Sequence, residues 1–194
     1  MRKNRAHGLL LTVAALPLLA GCGVKQRAEA AWQKVPALLD KMPFVRQESK
    51  PSGVTYPPTL KAKAVFAPEQ VPAGCKVFAH LLIWTPAGAN GHGLAGVVEK
   101  EAMRWGADLL LLGRSRKAKE DKSMIFVYYG PEEPYNFRER WAGWKFGYSD
   151  WVSQGGWAAA GYDEWDKKTV WHSDPLVIQA AFLRCQDIPP HEQP

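Results

Sequence analysis

Gly91-His92-Gly93-Leu94-Ala95-Gly96 has the spacing G-x-G-x-x-G, which, between a strand and a helix, lets backbone amides hold a dinucleotide pyrophosphate. The setting argues against that use. Gly91 follows Trp84 by seven residues with Pro86 between them, and the next apolar run ends in Gly113-Arg114-Ser115, with no carboxylate for a ribose, whereas the nucleotide-binding turn is tight. A loop opening into a helix is expected instead. Beyond the first 22 residues lie His80, His92, His172 and His191, without His-x-x-His, His-Glu-x-x-His or Cys-x-x-Cys spacing, so no metal or other cofactor is expected. His80, inside an apolar run, reads as a hydrogen-bonded core residue. His172, beside Trp171 and Asp174, is the histidine best placed for chemistry. No serine sits in a G-x-S-x-G setting. Asp150, Asp163, Glu164 and Asp166 could supply a glycosidase pair, but carboxylates among tryptophans more often cap turns or accept indole N–H bonds. The pattern does not call for an enzyme.

Fourteen aromatic residues fall between Phe126 and Trp171, six of them tryptophan, interleaved with Gly143, Gly147, Gly155 and Gly156 and with Arg138, Arg140 and Lys145. A segment so rich in rings is ordered. Two readings stay open: a satellite core, or a surface whose flat rings stack on sugars while polar neighbours bind hydroxyls. On the second reading Trp141, Trp144, Trp151 and Trp157, closest to glycines and charges, are the binding candidates.

The most specific chemistry belongs to Cys22. Arg2, Lys3 and Arg5 give a cationic start, Leu9 to Leu19 an apolar run of 11 residues, and Leu19-Ala20-Gly21-Cys22 ends it. Eleven residues fall short of the roughly 20 that span hydrocarbon. The segment resembles a bacterial lipoprotein signal closing in a lipobox. That resemblance implies thioether lipidation of Cys22, cleavage before it and acylation of the new amino terminus. Residues 1–21 are then a signal peptide, 22–74 a lipid anchor and proline-rich tether, and 75–194 a globular domain. Gly23, rather than an inner-membrane-retaining Asp, favours the outer membrane facing the periplasm if the source has two membranes.

Cleavage would remove three of the 25 Lys and Arg and none of the 19 Asp and Glu, leaving 22 against 19, a net charge of +3. So mild a balance does not suggest nucleic acid as a partner. With Cys22 lipidated, Cys75 and Cys185 remain. A bridge between them is expected in a compartment where disulfides persist, the alternative being two separate buried thiols.

Positioning elements follow from periodicity. Six prolines between Pro43 and Gly74 read as extended tether. Lys76 to Trp84 has strand composition. Leu94, Val97, Val98, Ala102 and Trp105 recur at helical spacing, with Gly106 as a stop. Leu109 to Leu112 suits a strand covered on both faces. These make a βαβ unit with parallel strands and a right-handed crossover. Arg114 to Lys122 reads as a loop, Met124 to Tyr129 as a strand in hairpin with the second, and Val177 to Leu183 as a last strand antiparallel to the first. The expected fold is α+β: a small mixed sheet built on a βαβ unit, with an aromatic-rich insertion.

Gly106-Ala107-Asp108-Leu109-Leu110-Leu111-Leu112-Gly113-Arg114-Ser115-Arg116, with Phe137 to Trp141 and Trp144 to Tyr148, resembles a bacterial lipoprotein family. The βαβ region, residues 75 to about 130, is distantly similar to the outer-membrane lipoprotein that senses envelope stress for the Rcs phosphorelay, and to the YbjQ-like fold. The sensor's two disulfides have no counterpart, since only two cysteines remain here. The resemblance implies an envelope lipoprotein that contacts the membrane through its lipid and binds an envelope protein or cell-wall glycan. A glycan-acting enzyme and a purely structural lipoprotein are the alternatives.

Overall fold

Burial on both faces decides which strand takes the centre. All nine residues of Leu176–Arg184 are buried, and this strand, apolar except for Gln179 and Arg184, lies mid-sheet, as a strand covered on both faces does. The structure, a computed structural model, describes residues 45–47 and 50–185; the signal segment and Cys22 lie outside the described residues. Among the described residues eight strands make one mixed sheet: β1 (Val45–Gln47), β2 (Lys63–Val65), β3 (Lys76–Thr85), β4 (Leu109–Lys117), β5 (Met124–Tyr128), β6 (Tyr135–Asn136), β7 (Trp157–Ala158) and β8 (Leu176–Arg184). Helix α1 is Gly91–Arg104, and two short helices follow, α2 (Phe137–Arg140) and α3 (Tyr148–Val152). The main path runs β1-β5-β3-β8-β4-β2, with β6 on β3 and β7 on β4. The α+β class and mixed sheet agree with the sequence.

Three details differ. First, β3 and β4 are both antiparallel to β8, hence parallel to each other but separated by it. The βαβ unit is split because β8, buried throughout, takes the place between them. Second, β5 pairs with β3, Leu81 opposite Tyr128 and Trp84 opposite Ile125, and makes no hairpin with β4. The edges of β4 are already taken by β8 on one side and by β2 and β7 on the other. Third, the charged run expected to be loop continues β4 as far as Lys117, because Ser115 turns inward at 4% exposure between more open neighbours and donates its hydroxyl to Ala158 O at 2.6 Å.

The expected tether boundary at residue 74 is also displaced. Residues 50–74 belong to the head. Lys63–Val65 pairs in parallel with Leu109–Leu111, Val71 is fully buried and Tyr56 nearly so. Prolines keep this stretch extended, and two of its amides bond to carbonyls at the C-terminal end of the helix that follows β3: Tyr56 N–H donates to Trp105 O at 3.3 Å, Thr59 N–H to Met103 O at 3.0 Å.

One sheet face packs on α1. Asn90 caps it, accepting from Gly93 N–H at 2.6 Å, and Gly106 at φ 85° terminates it. Leu94, Val98 and Ala102 meet Phe78, Ile83, Leu110, Phe126 and Phe182, large side chains worth about 1.5–3 kcal/mol each when fully buried. The half-buried indole of Trp105 and the buried Tyr128 hydroxyl both donate to Glu101, at 2.6 and 2.9 Å. Where β3 begins and β8 ends, Lys76 faces Arg184, and just outside that pair Cys75 and Cys185 are joined, S–S 2.09 Å.

Candidate functional site: an aromatic cover and an edge groove

The second sheet face is covered by the aromatic insertion. β6 pairs with the start of β3, and Asn136 caps α2, its side chain accepting from Arg138 N–H at 3.0 Å. Phe137 is thereby driven into the face, 2% exposed, among Val77, Leu111 and Leu183. Trp141 follows, 4.8 Å from the Phe137 ring, with Trp144 edge-on to it at 5.1 Å. Both are half-buried. Gly113 is needed here: a Cβ would stand 2.5 Å from Trp144 Cε2. Further along, α3 sets Trp151, 3% exposed, against Leu82 and Val177.

His80 lies under this cover, stacked on Phe146 at 4.3 Å and on Trp141 at 5.6 Å. Its Nε2 is 2.8 Å from the Tyr135 hydroxyl. Burial, with Lys145 adding to it, lowers its pKa to about 3, and burial pushes Tyr135 up to about 12. A neutral histidine in an aromatic box is a packing element, as its place in an apolar run suggested.

Of the four tryptophans expected at a binding surface, only Trp157 stands out, 59% exposed. Trp151 is core, and Trp141 and Trp144 are the half-buried wall that closes the sheet. The cause is physical: these three lie in the aromatic cover, or lid, that crosses the sheet, whereas β7 carries Trp157 past its edge. Tyr148 and Val152, on α3, are exposed beside Trp151 at 51% and 43%.

β2 pairs with β4 at Leu109–Leu111, and β7 pairs with it at Ser115–Arg116. Between these two pairings, beside Gly113, a groove of about 470 Å³ opens, lined by Arg114, Trp157, Glu164 and the small residues Ala158 to Gly161. Its volume matches that of small-ligand clefts, and it is shallow and largely open to solvent. Arg116 is committed to structure: Nε donates to Gly155 O at 2.7 Å, an Nη to Val152 O at 3.3 Å, and the guanidinium lies 5.0 Å from the Trp151 ring and 5.4 Å from that of Trp157. Arg114 lies over Trp157 at 5.2 Å; among the described residues its guanidinium makes no hydrogen bond or ion pair. Glu164 accepts from Gly161 N–H at 3.0 Å through one oxygen.

The other residues singled out for chemistry are dispersed. The Gly91–Gly96 motif is the opening turn of α1, covered by chain: Gly91 N–H donates to Val170 O, His92 N–H to Lys167 O, and Asp166 N–H to Gly91 O. A Cβ on Gly91 would collide with Glu164 O, so packing explains that glycine. His92 Nδ1 is 2.6 Å from Asp166 Oδ1, both side chains more than half exposed; 74 residues separate them, and no local signal announces the pair. His172 is buried, its pKa lowered by burial and partly restored by Glu164, while Asp174 pairs with Lys117 at 2.7 Å. Asp150 accepts from the Tyr129 hydroxyl at 2.7 Å. Burial raises the Glu99 pKa, with the Trp165 indole donating to it at 3.1 Å and partly offsetting the shift. Among the described residues no group of three or more His, Cys, Asp or Glu is placed to hold a metal, and no helix is long and apolar enough to cross a membrane. Compared with known proteins, the chain matches no family model, no curated sequence and no solved structure.

Proposed function

We propose that this protein is a lipoprotein of the bacterial cell envelope, held to a membrane by lipid on Cys22, whose head binds another envelope component rather than catalysing a reaction. The lipobox at Leu19-Ala20-Gly21-Cys22 supports the anchor. The observation that carries the binding role is Trp157, left 59% exposed beside the exposed Arg114, whereas Phe137, Trp141, Trp144 and Trp151 of the same insertion pack over the sheet. Exposed aromatic residues with arginine are the composition of recognition surfaces. Tyr148 and Val152 add apolar area on the same insertion.

The test uses the full chain in cells. A photo-crosslinking residue replaces Tyr148, Val152 or Trp157 in turn, in the native and in the Cys22→Ser background. Adducts with an envelope protein or with isolated wall material, lost or reduced when Cys22→Ser abolishes incorporation of labelled fatty acid, are expected. Label incorporated into the Cys22→Ser protein refutes the anchor. Absence of any adduct from all three positions refutes the binding role.

A further inference from the structure

The groove on the outer edge of β4 combines three features that suit a small ligand. The first is a platform: Trp157 is 59% exposed, with the Arg114 and Arg116 guanidiniums over part of its ring and Trp151 edge-on to it, and its N–H has no partner among the described residues. The second is a directed charge. Arg116 gives its donors to two carbonyls, yet Arg114, 5.2 Å from the same ring, gives its guanidinium to none among the described residues. Stacking on indole orients a guanidinium without using its N–H fork, which stays available for a bidentate acceptor. The third is room. Gly113, Ala158, Ala159, Ala160 and Gly161 present almost no side chain, so about 470 Å³ remains open between Trp157 and Glu164.

We propose that this groove binds a carboxylate-bearing saccharide, the sugar ring against Trp157 and its carboxylate on the Arg114 fork. The inference rests on the binding role proposed above and names its ligand. A pyranose has an apolar face that suits an indole and a rim of hydroxyls. Glu164 offers those hydroxyls an acceptor, because only one of its oxygens is engaged, by Gly161 N–H. Charge decides between anions. One arginine and one glutamate leave the groove nearly neutral, which favours a single carboxylate on a hydroxyl-rich body over a phosphate carrying up to two charges beside Glu164. Acidic amino sugars of the cell wall have this chemistry.

The experiment titrates the full-length protein in detergent micelles, following tryptophan emission, with N-acetylmuramic acid, with N-acetylglucosamine, which lacks the lactyl carboxylate, and with inorganic phosphate. N-acetylmuramic acid is expected to bind about 10- to 100-fold more tightly than N-acetylglucosamine, the range for a charged hydrogen-bonded pair. Arg114→Gln should erase that difference, and Arg114→Lys should restore only part of it, since a lysine keeps the charge without the fork. Trp157→Ala should weaken both sugars about tenfold, while Trp157→Phe, which keeps a ring, should remain close to native. Unchanged preference in Arg114→Gln, equal binding of the two sugars, or phosphate displacing N-acetylmuramic acid at equal concentration overturns the proposal. So does failure of N-acetylmuramic acid to bind at millimolar concentration. If that failure occurs while a residue at position 157 still crosslinks to an envelope protein, the ligand assignment falls and the broader binding role stands.

Discussion

Trp151 and Trp157 touch, their rings 5.3 Å apart, yet truncating them should have very different effects. Trp151 is 3% exposed and rests on Leu82 and Val177 beneath the lid. Trp151→Ala removes a buried indole from a closed layer, a loss of about 3–5 kcal/mol. For a domain of this size each kcal/mol moves the melting temperature by about 3 °C, so a fall of roughly 10–15 °C is expected. Trp157 is 59% exposed, and its truncation forfeits chiefly the stacking of Arg114 and Arg116. At exposed sites that is about 0.5–1 kcal/mol for each contact, or roughly 3–6 °C for the two together. Thermal unfolding of both variants, followed by near-ultraviolet circular dichroism under non-reducing conditions, gives the comparison directly. Equal losses refute the reasoning: large for both, and Trp157 belongs to the core and the groove loses its platform; small for both, and the lid does not close a second core layer.

Two further perturbations test the layers beneath. Cys75 and Cys185 close a loop of 110 residues, for which the chain-entropy relation gives about 4–5 kcal/mol; thiol alkylation before and after reduction should find both blocked and linked by peptide mass, and free alkylation of both in denatured, unreduced protein sinks the bridge. Burial lowers the pKa of His80 to about 3 against an ordinary value near 6.5, so between those values the unfolded chain binds a proton the folded one refuses. Stability is therefore full above about pH 6.5 and falls as pH drops toward 3, by up to about 1.4 kcal/mol per pH unit. His80→Phe should flatten that part of a chemical-denaturation series across pH, and an unaltered slope removes His80 from the account.

The sheet was readable where information is local. Alternation, helical spacing and the Gly106 stop lie within windows of a few residues, and they placed β3, α1, the first part of β4 and β5. The bridge between Cys75 and Cys185 agrees with the last strand lying antiparallel beside the first. What the sequence could not place was set by distant partners. The amides of Tyr56 and Thr59 bond to carbonyls of Trp105 and Met103, which no pattern in residues 50–74 reveals, so the prolines read as tether. No β4–β5 hairpin forms for a related reason: β4 has two edges, and three other strands already occupy them.

Exposure of the tryptophans was illegible because it depends on where the lid crosses the sheet. Trp144, Trp151 and Trp157 each have glycine and charge nearby, and their local sequences look alike. The register shift in β4 between Leu112 and Ser115 separates them. At that shift Gly113 lets the Trp144 ring lie against the strand, the Arg114 amide reaches Gln179 Oε1 at 3.4 Å, and the Arg114 side chain is left outside while Ser115 returns inward. Such irregularities in a strand re-aim side chains. Core packing on one side of β4 and the open guanidinium beside Trp157 on its edge therefore arise from the same departure from regular pairing. A regular ladder would have paired residues 112–115 continuously with β8 and left Arg114 as one more charge in an alternating row. The groove is a consequence of how the lid fits, which is why residue types alone pointed to the right segment and, of the four tryptophans they selected, only one lines the groove.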